Sequence, residues 1–339
     1  MARAPSWCRD ERSLPRQSRD ASIPAAPGEP KPSYEVVTSC SGPMSCYAPV
    51  DRQPTGNGVR TRMPSRFKIA LLCVALSSAW ATLAHADQLA EIKHKGDLVC
   101  GVLGTDEPMS FVDPQTRTII GYEVDLCQVI ARKIGVTATI KQIAVAARIP
   151  ELQQGRVDIL GATLTHTRER EAVIAFSLTT FVTGQRVMVR RDGGITTLAQ
   201  LTGKKVVTVK GGTQESNLRK YVPSVDVVTF ETAPQALVAL QQHKAAGFVN
   251  DEVSLFDAYA KLGPAQKDYV ILPQSVSTEA IALGLRKDEP ALKALVDGAL
   301  RDLETSGEAQ KLFVKWFGPG TRLQFQTRNF KIDSDQVAN

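Results

Sequence analysis

From residue 87 onward, short apolar runs alternate with stretches whose apolar residues recur at helical spacing. Residues 98–102 and 137–143 read as strands. Between them, over residues 122–134, Leu126, Val129, Ile130 and Ile134 fall on one helical face. A strand, a helix and a second strand in that order predict a parallel pair with the helix packed across it. The alternation continues, with strands predicted at 157–160, 187–189, 205–209, 226–230 and 245–249 and helices at 149–154, 214–221, 234–242 and 253–262. Two last helices, 290–305 and 308–316, are separated by Gly307 and closed by Gly318-Pro319-Gly320. The fold class is therefore α/β, with two doubly wound lobes. Ligands of open α/β sheets sit beyond the carboxyl ends of the strands, which places the site in the cleft between the lobes.

The first 86 residues break this pattern. Residues 1–62 hold scattered Pro, Ser and Arg without apolar period and are read as a leader, either unstructured or an upstream extension of the true chain. Residues 63–86 read as a secretory signal peptide: Met63, Arg66 and Lys68 form a basic start, 69–83 is nearly continuous apolar sequence, and Ala84-His85-Ala86 offers a cleavage site. An apolar run of roughly 15 residues is short for a membrane anchor, which needs ~20. Cleavage before Asp87 and export to the periplasm are expected, with Met63 as the start of the precursor.

Charge matters only once it is divided along the chain. The formal net charge of +6 suggests a polyanion binder, but residues 1–86 carry 11 Lys and Arg against 6 Asp and Glu, leaving 30 against 29 for the rest. The globular part is nearly neutral, and nucleic acid is not an expected partner. After residue 86 two of the six cysteines remain, Cys100 and Cys127. In an exported protein such a pair is expected to form a disulfide, with two separate buried thiols as the alternative. His94, His166 and His243 are far apart, and no metal-ligand or nucleophile motif appears. Neither metal nor cofactor is expected.

The chemistry concentrates after the strand at 157–160. Thr163 and Thr165 stand at alternate positions and could face one ligand, Thr167 can cap a short helix, and Arg170 offers a planar fork for a carboxylate. Gly211-Gly212-Thr213 opens a helix after a strand, where backbone N–H groups can also hold a carboxylate. Asp251, before the helix at 253–262, reads either as an N-cap or as a partner for a cation.

Five ordered motifs carry a resemblance. They are Gly121-Tyr122-Glu123-Val124-Asp125-Leu126, then Thr163-Leu164-Thr165 with Arg170 and Phe176-Ser177, then Gly211-Gly212-Thr213-Gln214-Glu215, then Gly247-Phe248-Val249-Asn250-Asp251-Glu252, and last Ser306-Gly307 with Lys315-Trp316-Phe317-Gly318. With them the chain resembles the periplasmic solute-binding proteins, family 3, of ABC importers for polar amino acids. The resemblance implies a type II binding-protein fold in which two crossovers, near 182–184 and 277–280, form the hinge. Lobe one would be 87–183 with 279–318, lobe two 184–278, and 319–339 a C-terminal tail. It implies that Arg170 clamps the α-carboxylate with Thr165, Gly212 and Thr213, and that Asp251 with Thr163 takes the α-ammonium. Arg148, in Ala147-Arg148-Ile149-Pro150-Glu151-Leu152-Gln153, resembles the arginine that glutamate/aspartate-binding members turn on the distal carboxylate. Thr105-Asp106-Glu107 and Ala233 depart from that subgroup, so glutamine or asparagine stays open. The implied function is capture of an amino acid by hinge closure, by a monomer that delivers it to an inner-membrane ABC permease without catalysis. A dehydratase-type enzyme on the same scaffold and an amino-acid sensor are the alternatives.

Overall fold

A computed structural model describes residues 87–338. The leader and the signal peptide lie outside the described residues. The chain enters through α1 (Gln88–Lys95), capped by the Asp87 carboxylate accepting from the Leu89 N–H and stopped at Gly96 in the left-handed conformation. Strand β1 (Asp97–Val102) follows, then three short strands, β2 (Thr105–Asp106), β3 (Ser110–Val112) and β4 (Ile119–Ile120), which make a small separate sheet. Helix α2 (Tyr122–Ile134) matches the predicted span. It begins at Gly121, where a Cβ would lie 2.3 Å from the Met109 carbonyl oxygen, so only glycine permits this approach.

The nine-stranded main sheet spans both lobes. In the first, β5 (Thr137–Gln142) and β6 (Ile159–Leu160) flank β1 in parallel, as the strand–helix–strand pattern requires. In the second, β8 (Lys205–Val209) lies between β9 (Asp226–Phe230) and β10 (Gly247–Asp251), again in parallel. Two antiparallel strands join the halves: β7 (Ala175–Arg190), sixteen residues long, and β12 (Ser277–Leu285), paired from Gln185 opposite Ser277 to Ala175 opposite Leu285. A last short strand, β11 (Tyr269–Ile271), pairs with β7.

Alternation along the strands explains the layered core. Val187 and Val189 enter one apolar cluster of lobe two with Val206 and Leu218, while Met188 enters the other with Val207, Leu240 and Phe248. Both faces of this sheet are covered, so its strands read as continuous apolar runs rather than alternating ones. In lobe one, Leu98, Cys100, Leu126 and Ile130 pack with α8 (Pro290–Thr305) and α9 (Glu308–Phe317). Remaining helices are α3 (Arg148–Gln153), α4 (Arg168–Glu171), α5 (Gln214–Tyr221), α6 (Ala233–Gln241) and α7 (Glu252–Lys261). Among the described residues no helix is long and apolar enough to cross a membrane.

The expected disulfide is not formed in this structure. Cys100 on β1 and Cys127 on α2 are free thiols, fully buried in one apolar cluster. Burial, then the neighbouring Cys127 thiol, pushes the Cys100 thiol up. The alternative, two separate buried thiols, is what the structure holds, and each packs as a small hydrophobe.

The tail after α9 has neither helix nor strand, yet it is docked. Phe330 and Ile332 are buried, the Arg328 guanidinium forks onto Glu304, and the Ala338 N–H donates to the His166 carbonyl at 2.8 Å.

Candidate functional site

The cleft holds a cavity of about 490 Å³, its open mouth included. Residues of both lobes line it, among them Asp106, Arg148, Thr163 and Thr165 from the first and Gly212, Thr213, Asp251 and Ser254 from the second.

Thr163 and Thr165 do reach one cavity, but not by alternating along a strand. β6 ends at Leu160, and Thr163 sits in the left-handed region at φ 48°, unusual for a β-branched residue. Its surroundings fix it there. The Thr163 N–H donates to Glu123 Oε1 at 2.7 Å and its hydroxyl to Asp106 Oδ2 at 2.8 Å. Glu123 comes from the first turn of α2, and burial pushes its carboxyl up to about 8.

Arg148 turns four of its five N–H donors on backbone carbonyls. Its Nε donates to the Val145 carbonyl, Nη1 to those of Ala162 and Thr163, and Nη2 to that of Gly211, all at 2.8–2.9 Å. Burial, then the nearby Arg170, pulls its guanidinium down to about 9. Both expected arginines spend donors on carbonyls, four from Arg148 and two from Arg170. Arg170, on α4 and capped by Thr167, stands in an adjoining recess with Gly212, Thr213 and Glu279. It donates to the Thr165 carbonyl at 2.9 Å and to the Gly211 carbonyl at 3.1 Å. One carbonyl of lobe two thus takes both guanidinium groups of lobe one. Gly211 has φ 84°, and a Cβ there would lie 2.7 Å from the Ala146 Cα.

Asp251 ends β10 and precedes α7, but its side chain makes no capping bond. Instead Oδ1 accepts from Gln185 Nε2 at 3.0 Å and Gln214 Nε2 at 3.4 Å. Burial, followed by the negative charges of Glu279 and Asp106, pushes its carboxyl up to about 7. Thr213 donates its hydroxyl to Glu279 Oε2 at 2.8 Å and accepts from Gln185. Glu279 also accepts from Asn217 and Ser277, so a buried acid on β12 is tied to α5.

Sequence reasoning missed Asp106, Glu123, Gln185, Ser254 and Glu279. Ser254 donates to Asp106 at 2.5 Å across the cleft, and only the fold brings those two segments together. Asp106 carried one signal, as the acid where the resembling subgroup is basic. Among the described residues, no three His, Cys, Asp or Glu are grouped to hold a metal.

A family model for bacterial extracellular solute-binding proteins, family 3, matches residues 98–319. The chain belongs to this family. The family 3 protein described here is 30% identical over 288 residues to a glutamate/aspartate import solute-binding protein of Escherichia coli (strain K12), covering 79% of this chain and 94% of that protein. An ABC transporter glutamine-binding protein of Bacillus subtilis (strain 168) is 28% identical over 234 residues, or 68% and 84% of the two chains. A solved structure of a mutant ArgBP from T. maritima superposes with a TM-score of 0.63 at 32% identity, covering 68% of this chain and 99% of that one.

Proposed function

We propose that this protein is the periplasmic substrate-binding component of an amino-acid ABC importer, a monomer that closes on a polar L-amino acid and hands it to a membrane permease without turnover. A zwitterion needs donors at one end and an acceptor at the other. Arg170 with the N–H groups near Thr165 and Thr213 supplies the first, and Asp251 the second. The observation that carries the reading is the side chain of Asp251, which gives up the helix cap beside it and turns, buried, into the cavity.

The two lobes are proposed to move as residues 87–183 with 279–318 against 184–278, about β7 and β12. A ligand that touches both lobes binds the closed form more tightly and shifts the population toward it. With Arg170 and Asp251 assigned to the two ends of the zwitterion, Asp106 and Arg148 are left in the cavity wall, a balance that supports a neutral side chain over a dicarboxylic one. The relatives' names, which span glutamine, glutamate/aspartate and arginine binders, fit a scaffold whose side-chain end is adjustable. The signal-peptide pattern read at 63–86 and the near-neutral charge of the rest support export and a small-molecule partner.

A thermal-shift screen of the twenty amino acids tests this. A ligand at a hundred times its Kd raises stability by about 2.7 kcal/mol. Arg170→Ala is expected to abolish the shift while circular dichroism stays native. Micromolar binding by that variant, or no shift with any amino acid, overturns the assignment.

A further inference from the structure

Two helices of lobe two open in the same irregular way. Thr213 stands at the N-cap of α5 and Asp251 at that of α7, yet neither side chain caps its helix. A threonine or aspartate in this place ordinarily accepts from an N–H of the first turn. Here both turn into one network that runs to the two strands joining the lobes. From β7, Gln185 donates one amide hydrogen to the Thr213 hydroxyl at 2.9 Å and the other to Asp251 Oδ1 at 3.0 Å. From β12, Glu279 accepts from the same Thr213 hydroxyl at 2.8 Å. Asn217, one turn along α5, closes a ring by donating to Gln185 Oε1 at 3.0 Å and to Glu279 Oε1 at 2.9 Å.

Glu279 is the member of this ring that carries charge, and it is 1% exposed. It lines the recess beside the ligand cavity, with Arg170 and Thr213. Burying a carboxylate is costly unless its hydrogen bonds are made, and here Thr213, Asn217 and Ser277 make them. In return the start of α5 is fixed from the hinge strand. That start matters because the first N–H groups of a helix have no partner within it and are free to hold a carboxylate.

Resting on the reading of the cleft as an amino-acid site, we infer that Glu279 is a positioning residue of that site, holding Thr213 in place for the α-carboxylate and reaching Asp251, at the ammonium end, through Gln185. The two ends of the site are thereby coupled. Asp251 faces the negative charges of Glu279 and Asp106 and the positive ones of Arg148 and Arg170, with the amides of Gln185 and Gln214 on its Oδ1. After burial, the charge of Glu279 is what most pushes the Asp251 carboxyl up, since a like charge nearby disfavours ionisation.

Isothermal titration with the tightest binder among the twenty L-amino acids, from about pH 5 to about pH 9, tests this. Thr213→Val keeps the backbone N–H and removes the hydroxyl. Glu279→Ala and Thr213→Val are each expected to weaken binding about tenfold at about pH 8. The double variant should bind within about twofold of the weaker single one, because one residue acts through the other. Glu279→Gln, which still accepts from Asn217 and Ser277, is expected to restore most of the affinity. It should also move the pH midpoint of Kd down by about one unit, since Asp251 loses a like-charged neighbour. Unliganded melting temperatures check folding, and should Glu279→Ala not fold, the midpoint of Glu279→Gln still decides. Losses that add in the double variant, or a midpoint that Glu279→Gln leaves in place, overturn the inference while the cleft assignment stands. Failure of all twenty amino acids to bind the unaltered protein removes that assignment, and the inference with it.

Discussion

Asp251 and Glu123 make the unliganded protein pay for its site in a pH-dependent way. Both carboxyls are pushed up, to about 7 and about 8, chiefly by burial. Between their ordinary values and these raised ones, the folded chain holds protons that the unfolded chain has released. The unliganded protein therefore loses stability as pH rises from about 4 to about 8, by an amount on the order of a few kcal/mol. Melting temperature without ligand is expected to be lower at pH 8 than at pH 5. Ligand affinity should run the other way, since an ammonium group pairs with ionised Asp251, and Kd is expected to fall as pH rises through about 7. Asp251→Asn should flatten that profile. At Gly211, where a Cβ meets the Ala146 backbone, Gly211→Ala is expected to hold the lobes apart. Affinity should drop at least tenfold, and the left-handed backbone at Gly211 should itself cost the unliganded protein about 1 kcal/mol. Asp251 and Gly211 were both visible in the sequence because each ends a strand and opens a helix. Asp106 was named only as a departure, because its partners Thr163 and Ser254 lie 57 and 148 residues away.

At the scale of elements, α7 and the tail form a crossed clasp over the cleft mouth. Glu107 of lobe one takes Lys261 of lobe two at 2.6 Å, and Asp257 of lobe two takes Arg322 of the tail at 2.5 Å. Closure brings two acids together, and the two bases offset their repulsion. Because Arg322 and Lys261 are partly exposed, each bridge contributes about 1 kcal/mol at most, and less in salt. Arg322→Ala is expected to weaken ligand binding up to about fivefold, with Glu107→Gln restoring part of the loss and high salt shrinking both effects. None of this was legible beforehand, since the tail shows no periodicity. The parallel strands were legible, because burial on both faces leaves continuous runs such as Val206-Val207. The small three-stranded sheet was not, its strands being two or three residues long. Nor was the full length of β7, where Thr179, Thr180, Thr183 and Gly184 interrupt the apolar pattern although the first two are fully buried.

Across the whole molecule, the tail ties distant parts together. Phe325 meets Phe256 of lobe two edge-on at 6.4 Å, and Phe330 packs on Phe181 at 4.9 Å. The Thr179 N–H donates to the Ser334 carbonyl, and Asp335 lies 3.0 Å from His166, next to Thr165. Phe330→Ala is expected to cost about 3 kcal/mol, a fall of roughly 6–12 °C in melting temperature by calorimetry. A fall of under 2 °C would show that the tail is merely draped on the surface. The connection between the lobes has its own consequence. Because β7 and β12 stay hydrogen-bonded to each other from Ser277 to Leu285, with shifts of register around Ala282, the joint is a twisted two-stranded ribbon and not a pair of slack linkers. Such a ribbon flexes as a leaf spring does, with a resting angle and a restoring torque. The empty protein should then explore a narrow arc around one gape, and single-molecule distance measurements across the mouth would show a tight distribution instead of a broad one.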